Sequence, residues 1–119
     1  MNKKPFRISK ENFTDEQIHE ILKGYENNLC SEQISLYAKP EFSWEQMEEI
    51  RQALENGLKT EQLIVLVNPK LKWYQMEQIR HGFEEGLSIE DVETFARPEL
   101  DWLQMNNLRK RLVSIHKNI

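Results

Sequence analysis

Two stretches of this chain carry nearly the same pattern: residues 43–57 read SWEQMEEIRQALENG, and residues 72–86 read KWYQMEQIRHGFEEG. The stretches begin 29 residues apart, and the same spacing continues upstream to residue 14 and downstream to residue 101. Residues at the same position of successive repeats form a column. One column is Gln17, Gln46, Gln75 and Gln104, and another is Trp44, Trp73 and Trp102. Many columns in register without an insertion identify a tandem repeat, and a tandem repeat determines the whole fold.

Each repeat is predicted to be a long helix followed by a short one. Ser43 and Gln46 stand three residues apart, the spacing of a reciprocal capping box at a helix start. Apolar residues follow at the i, i+3, i+4 spacing of one buried face, and Gly57 stands where a left-handed residue ends a helix. The short helix, roughly eight residues near 61–67 and ending before Pro69, is too short to be stable without neighbouring repeats.

The sequence therefore predicts an all-α protein. We expect a short α-solenoid of tandem helix–turn–helix repeats, with about seven helices that alternate long and short. A length of 119 residues suits one domain. Its predicted parts are an N-terminal cap segment (1–12), repeats 13–42, 43–71 and 72–100, and a C-terminal capping half-repeat (101–119).

Charge is distributed unevenly along the chain. The net charge is −4, but residues 1–10 and 102–119 each carry four bases and no acid, so the body between them is strongly acidic. An acidic body argues against a simple nucleic-acid binder and is compatible with docking on a basic protein surface. No apolar run approaches the roughly 20 residues that span a bilayer, so we expect no membrane partner and a cytoplasmic location.

The sequence contains no residue pattern typical of an enzyme. It has no nucleophile elbow, no zinc-protease motif and no phosphate-binding glycine loop. Cys30 is the only cysteine, and the three histidines (His19, His81 and His116) stand at unrelated columns, without the spacing of a helical zinc site. We therefore predict no catalytic residue, no cofactor and no metal.

The arginine column, Arg51, Arg80 and Arg109, recurs at the edge of the buried stripe. One interpretation is a ladder that grips acidic side chains or phosphates, with Glu48 and Glu77 beside it as further partner-binding residues. The other is structural: each arginine packs its stem over the core and pairs with a neighbouring acid. The structural interpretation is favoured, and the five residues remain the candidate partner-binding set.

The tryptophans and the C-terminal helix also allow two interpretations each. The tryptophans are predicted to be wedges between repeats, and a stacking surface for bases or a peptide is the alternative. The last helix continues past its repeat with Val113, Ile115 and Ile119, and Leu112, Ile115 and Ile119 form its candidate oligomer face. We expect this apolar surface to fold back on the solenoid; the alternative is an oligomer face, so a monomer and a homodimer both fit.

The segments at 44–51 and 73–80 resemble a short tandem repeat that can be written W-x-Q-M-x-x-I-R-x-G-x-E-x-G-L, followed by a short helix and a P-E-[FL] step. This repeat is similar to one in proteins of gut Firmicutes and of their plasmids, integrative elements and phages. The match is good over 43–109 and looser over 14–42. The resemblance implies no catalytic activity; it implies a small protein of a mobile element that serves as an interaction or counter-defence factor.

The expected function is therefore a non-catalytic protein-binding module that binds and inhibits a host defence protein. An acidic body suits competition for the nucleic-acid-binding groove of such a host protein. The alternatives are direct nucleic-acid binding along the arginine column and an oligomerisation or scaffold module.

Overall fold

The structure, a computed structural model, describes residues 11–117, in which long and short helices alternate. The long helices are α1 (Asp15–Glu26), α3 (Trp44–Glu55), α5 (Trp73–Glu84) and α7 (Trp102–Lys117), and the short ones are α2 (Ser31–Ile34), α4 (Thr60–Leu66) and α6 (Ile89–Glu93). No strand occurs within 11–117. The predicted all-α class with seven helices is confirmed for this range, whereas most of the predicted cap segment 1–12, and Ile119, lie outside it.

Helix α4, with seven residues, agrees with the predicted short helix near 61–67, whereas α2 and α6 are shorter than predicted. They contain four and five residues, because the chain tightens into i→i+3 turns before Pro40 and Pro98. In repeat 1 the Tyr37 N–H donates to the Ile34 carbonyl at 3.0 Å, and in repeat 3 the Phe95 N–H donates to the Val92 carbonyl at 3.0 Å. In repeats 1 and 3 the end of the short helix is thus set by the turn that leads to the next repeat.

The long helices begin and end as predicted. Thr14 Oγ1 accepts from the Gln17 N–H at 3.1 Å, and Gln17 Oε1 accepts from the Thr14 N–H at 2.8 Å. Lys72 has no acceptor to offer, yet Gln75 Oε1 still accepts from its N–H at 2.8 Å. Two residues after the last residue of α1, α3 and α5, the chain has a positive φ between 71° and 94°, at Asn28, Gly57 and Gly86.

The core lies between a layer of long helices and a layer of short ones. Helices α1, α3, α5 and α7 pack side by side in that order, and each short helix packs on the long helix of its own repeat. The predicted core columns are fully buried, among them Met47, Met76, Met105, Ile50 and Ile79. Burial of these side chains stabilises the array, because each contributes roughly 1.5–3 kcal/mol when it leaves water.

Side-chain size is matched across the two helices of each repeat. In repeat 1, a Cβ atom added at Gly24 would lie 2.2 Å from Tyr37 Oη, which donates to the Glu20 carbonyl at 2.8 Å. Burial raises the pKa of the Tyr37 hydroxyl, so it stays protonated and keeps donating. The equivalent pairs are Ala53 and Leu66 in repeat 2, and Gly82 and Phe95 in repeat 3. A large aromatic residue on the short helix therefore stands opposite a glycine, and a leucine stands opposite an alanine.

We expect Gly24→Ala to lower the free energy of unfolding by about 1–3 kcal/mol, because the added methyl displaces the Tyr37 hydroxyl from its hydrogen bond. The double change Gly24→Ala/Tyr37→Leu reproduces the Ala–Leu pair of repeat 2. It should be more stable than the two single changes predict by more than ~0.5 kcal/mol. Urea unfolding followed by circular dichroism measures both quantities, and additive effects would contradict the size matching.

Candidate binding surface

The arginine column lies in the seams, a name we give to the contacts between consecutive long helices. The first seam joins α1 and α3, the second joins α3 and α5, and the third joins α5 and α7. Arg51, Arg80 and Arg109 are 4%, 8% and 7% exposed. These three candidate partner-binding residues are therefore between the repeats, where little of each guanidinium can reach a partner.

In the first two seams each arginine pairs with two carboxylates. Arg51 Nε donates to Glu20 Oε1 at 2.9 Å, and Arg51 Nη1 donates to both oxygens of Glu55 at 2.9 and 3.0 Å. The second seam repeats this geometry, with Nε to Glu49 at 2.9 Å and Nη1 to both oxygens of Glu84 at 3.1 Å. The first carboxylate comes from the preceding repeat and is buried, and the second lies one turn further along the same helix.

The third seam uses different residues for the same purpose. Arg109 Nε donates to Gln78 Oε1 at 2.9 Å, where the other seams have a glutamate. Val113 stands where the other seams have their second carboxylate, and Glu85 of the preceding repeat pairs with Arg109 Nη1 instead. Asn106 Oδ1 accepts from Nη2 at 3.0 Å. The arginine thus keeps its hydrogen bonds although two columns have changed.

The pKa shifts agree with this pairing. Burial raises the pKa of Glu49 above its usual value, and the hydrogen bond and charge of Arg80 partly offset the rise. Burial would lower the pKa of Arg80, but Glu49 and Glu84 outweigh it and raise the pKa. Arg51 behaves in the same way with Glu20 and Glu55. The guanidinium groups therefore stay charged, and each depends on its carboxylates.

The glutamine column forms a second set of contacts across the seams. Gln46 Nε2 donates to the carbonyl oxygens of Pro69 at 3.2 Å and Leu71 at 2.6 Å, while its Oε1 caps α3. Gln17 makes the equivalent bonds to the loop before α3, and Gln75 makes them to the loop before α7, at 2.6–3.3 Å. Each glutamine therefore caps its own helix and fixes the loop that leads into the next long helix.

The tryptophans are only partly inserted between the repeats. Trp44, Trp73 and Trp102 are 40%, 43% and 44% exposed, whereas the neighbouring methionine column is fully buried. Trp73 packs edge-on against Tyr74, with ring centroids 5.6 Å apart and an interplanar angle of 88°. The predicted wedges thus keep an exposed indole surface, and we call the three residues the tryptophan row.

The two candidate glutamates lie on the same helix face as the tryptophan row. Glu48 follows Trp44 by four residues and Glu77 follows Trp73 by four, so each glutamate lies one turn from an indole. The Glu48 side chain is 34% exposed, and its carboxylate is 4.0 Å from Arg51 Nη2. Of the predicted partner-binding residues, the glutamates are thus more accessible than the arginines.

The C-terminal helix packs back on the array along part of its length. Leu112 and Val113 are partly buried against the core, and His116 Nε2 is 2.7 Å from Asp91 Oδ2 in α6. Ile115 is 54% exposed. The predicted oligomer face is therefore divided, with Leu112 turned to the core and Ile115 to the surface.

The sequence did not lead us to predict the acid column, a name we give to Glu20, Glu49 and the neutral Gln78 that replaces a glutamate in the third seam. These side chains accept the Nε–H hydrogen bonds of the arginine column. Its members recur at 29 residues inside the apolar stripe, and a charged residue in such a place needs a partner. The signal that identifies the partner is the arginine column 31 residues later.

Within 11–117, no group of three or more histidine, cysteine, aspartate or glutamate side chains is arranged to hold a metal ion. None of the helices described is long and apolar enough to cross a bilayer. Compared with known proteins, the chain matches no family model, no curated protein and no solved structure.

Proposed function

We propose that this chain is a non-catalytic protein-binding module and that it binds a basic partner through the outward face of the long helices. One observation carries the proposal. Arg51 and Arg80 are buried and each is held by two carboxylates, so the arginine column contributes no free positive charge to that face.

The charge of the face supports a basic partner. In the first seam, Arg51 stands against Glu20, Glu55 and the more exposed Glu48, so one positive charge meets three negative charges and leaves −2. In the second seam Arg80 pairs with Glu49 and Glu84, and Glu77 stands at the position of Glu48 in the sequence, so the charges are the same. A surface of this sign repels phosphate and attracts lysine and arginine side chains.

The sequence resemblance supports a host protein as the partner. A small phage or mobile-element protein with an acidic face can compete with nucleic acid for a basic groove on a host protein. By occupying the groove, it inhibits that host protein. We place this activity in the bacterial cytoplasm as part of the same proposal. Direct nucleic-acid binding is the alternative that the test must separate.

The test is an affinity pull-down from a lysate of a Gram-positive gut bacterium, with and without nuclease. It compares the wild-type chain with the charge-reversed variant Glu48→Lys/Glu77→Lys. We expect a stoichiometric protein that survives nuclease and is lost on charge reversal, with an affinity loss on the order of a hundredfold, since like charges replace opposite ones at two positions. Both chains must show the same circular dichroism spectrum.

Two results would contradict the proposal. Capture that disappears with nuclease favours nucleic acid, as does binding that strengthens when the glutamates are reversed to lysine. Capture that is equal for both chains removes the acidic face from the binding surface.

A further inference from the structure

The tryptophan row runs along one edge of the long-helix layer. Each tryptophan is the first residue of a long helix. Neighbouring long helices are parallel, because Gln17 at the start of α1 bonds the loop before α3, and Asn27 at its end bonds Glu55 near the end of α3 at 2.8 Å. Packed helices lie about 8–10 Å apart, so the row presents three indoles at about that interval.

Carboxylates stand beside the first indole. Trp44 forms one wall of an open cavity of about 300 Å³, and Asp15, Glu16, His19 and Glu20 of the preceding helix form its other walls. Asp15 and Glu16 are exposed, and no base within 11–117 lies within ion-pair distance of either one. The cavity therefore combines an aromatic surface with negative charge that the fold does not neutralise.

The 29-residue repeat gives the other two indoles similar neighbours. Glu45 and Tyr74 stand at the Glu16 position beside Trp73 and Trp102, and Glu48 and Glu77 stand at the His19 position, whereas the Asp15 position holds the preceding tryptophan of the row. Lys72, the residue before Trp73, is the one base in the helix-capping column of the long helices. Each of the three positions thus offers an indole with at least one carboxylate.

An indole next to a carboxylate suits one side chain above the others. A guanidinium is planar and weakly hydrated, so it stacks on an aromatic face and donates to a carboxylate at the same time. Phosphate and carboxylate ligands are repelled by the same surroundings. The chemistry of the row therefore selects arginine.

We propose that the tryptophan row binds an extended, arginine-rich segment of a partner protein, with one arginine stacked on each indole and paired with the carboxylate beside it. An extended or polyproline chain advances about 3.1–3.3 Å per residue, so three residues span about 9–10 Å, the interval between the indoles. The segment accordingly carries arginine at every third residue. This inference rests on the proposed function and names the ligand chemistry of the acidic face.

The test uses two synthetic peptides of one composition in a proline–serine background. One peptide has arginine at every third residue, and its isomer has the arginines adjacent. Titration of the full chain, followed by indole fluorescence and by calorimetry, is expected to give affinity on the order of tenfold tighter for the regular peptide. Equal affinity for the two peptides would overturn the proposed spacing.

Three variants test the site itself. Trp73→Leu keeps an apolar side chain but removes the aromatic face, and it should weaken binding of the regular peptide by on the order of tenfold, whereas Trp73→Phe should retain most of the affinity. Ile64→Ala is the matched control, because Ile64 is 72% exposed on the short-helix layer and should leave binding unchanged. Thermal melts confirm that each variant is folded.

The remaining outcomes identify other occupants. Self-association that Trp73→Leu abolishes would make a second copy the occupant, and peptide binding that appears only in a Lys4→Glu/Arg7→Glu/Lys10→Glu chain would make the chain's own basic segment the occupant. Either result overturns the proposal. If Glu48→Lys/Glu77→Lys abolishes capture of a host protein but Trp73→Leu does not, the protein-binding function stands and the arginine inference fails.

Discussion

Replacing Arg80 by methionine is expected to lower the free energy of unfolding by roughly 3–5 kcal/mol at pH 7, because it leaves a buried carboxylate without its partner. Glu49 is 4% exposed and accepts from Arg80 Nε at 2.9 Å. Methionine preserves much of the apolar stem, so the loss reports the ion pair rather than the packing. Urea unfolding followed by circular dichroism measures the difference.

The loss of stability caused by Arg80→Met should become smaller as the pH falls. Burial raises the pKa of Glu49 even with Arg80 present, and removal of Arg80 raises it further. A carboxyl group with a raised folded-state pKa stabilises the fold fully below its unfolded pKa, near 4.5, and this contribution is lost as pH rises through the folded value. The deficit of the Arg80→Met chain should therefore shrink as pH falls from 7 towards 4.5, and a constant deficit would contradict the explanation.

The third seam supplies the control for the second. Gln78 accepts from Arg109 Nε at 2.9 Å, the same distance as Glu49 from Arg80, so Glu49→Gln should keep the hydrogen bond and change stability by less than about 1 kcal/mol. The double change Arg80→Met/Glu49→Leu removes both charges and should recover most of the loss of Arg80→Met. A large loss in Glu49→Gln would show that the charge, and not the hydrogen bond, holds the seam.

We expect Gln46→Ala to lower the free energy of unfolding by about 2–4 kcal/mol. The change removes the glutamine half of the α3 capping box, while Ser43 Oγ still accepts from the backbone N–H of residue 46, and it leaves the carbonyl oxygens of Pro69 and Leu71 without their side-chain donor. A buried acceptor without a partner costs about 1–3 kcal/mol, and loss of the glutamine half of the capping box adds about 1 kcal/mol. Chemical denaturation measures the sum, and a cap alone would account for only the smaller part.

Gln104→Ala separates the two parts. Gln104 accepts from the Asp101 N–H at 2.9 Å and so caps α7, but it is exposed and no repeat follows it among the described residues. Its replacement should lower the free energy of unfolding by about 0.5–1 kcal/mol, the value of a cap alone. Equal losses in Gln46→Ala and Gln104→Ala would mean that the bonds across the seam do not stabilise the array.

The fold could be predicted from the sequence because its signals are local and repeated. The capping pair of Ser43 and Gln46, the residues with positive φ at helix ends, and the methionine column each depend on a few neighbours in the chain. Helices α2 and α6 were predicted less well than α4, since propensity alone cannot locate the i→i+3 turn that ends them.

The candidate surface was harder to predict because it depends on pairing between repeats. The arginine column is visible in the sequence, but its burial follows from partners 31 residues upstream, and the Glu20 column was not recognised as the set of partners. Likewise the 29-residue spacing of the tryptophans does not indicate that each of them is 40–44% exposed. Periodicity therefore predicts which residues are equivalent, but it does not predict how buried each residue is or which residues it contacts.

The seam residues are replaced in the first and last long helices described, at the two ends of the array. Leu22 stands at the arginine position of α1, and Asn107 stands at the acid position of α7. If a second copy stacked head to tail on the first, Leu22 would meet Asn107, and no guanidinium would find a carboxylate. A heterologous contact of this kind leads to open filaments, and the substitutions at both ends deprive it of the ion pair that joins the internal repeats. The substitutions Leu22 and Asn107 therefore disfavour polymerisation of the chain by head-to-tail stacking.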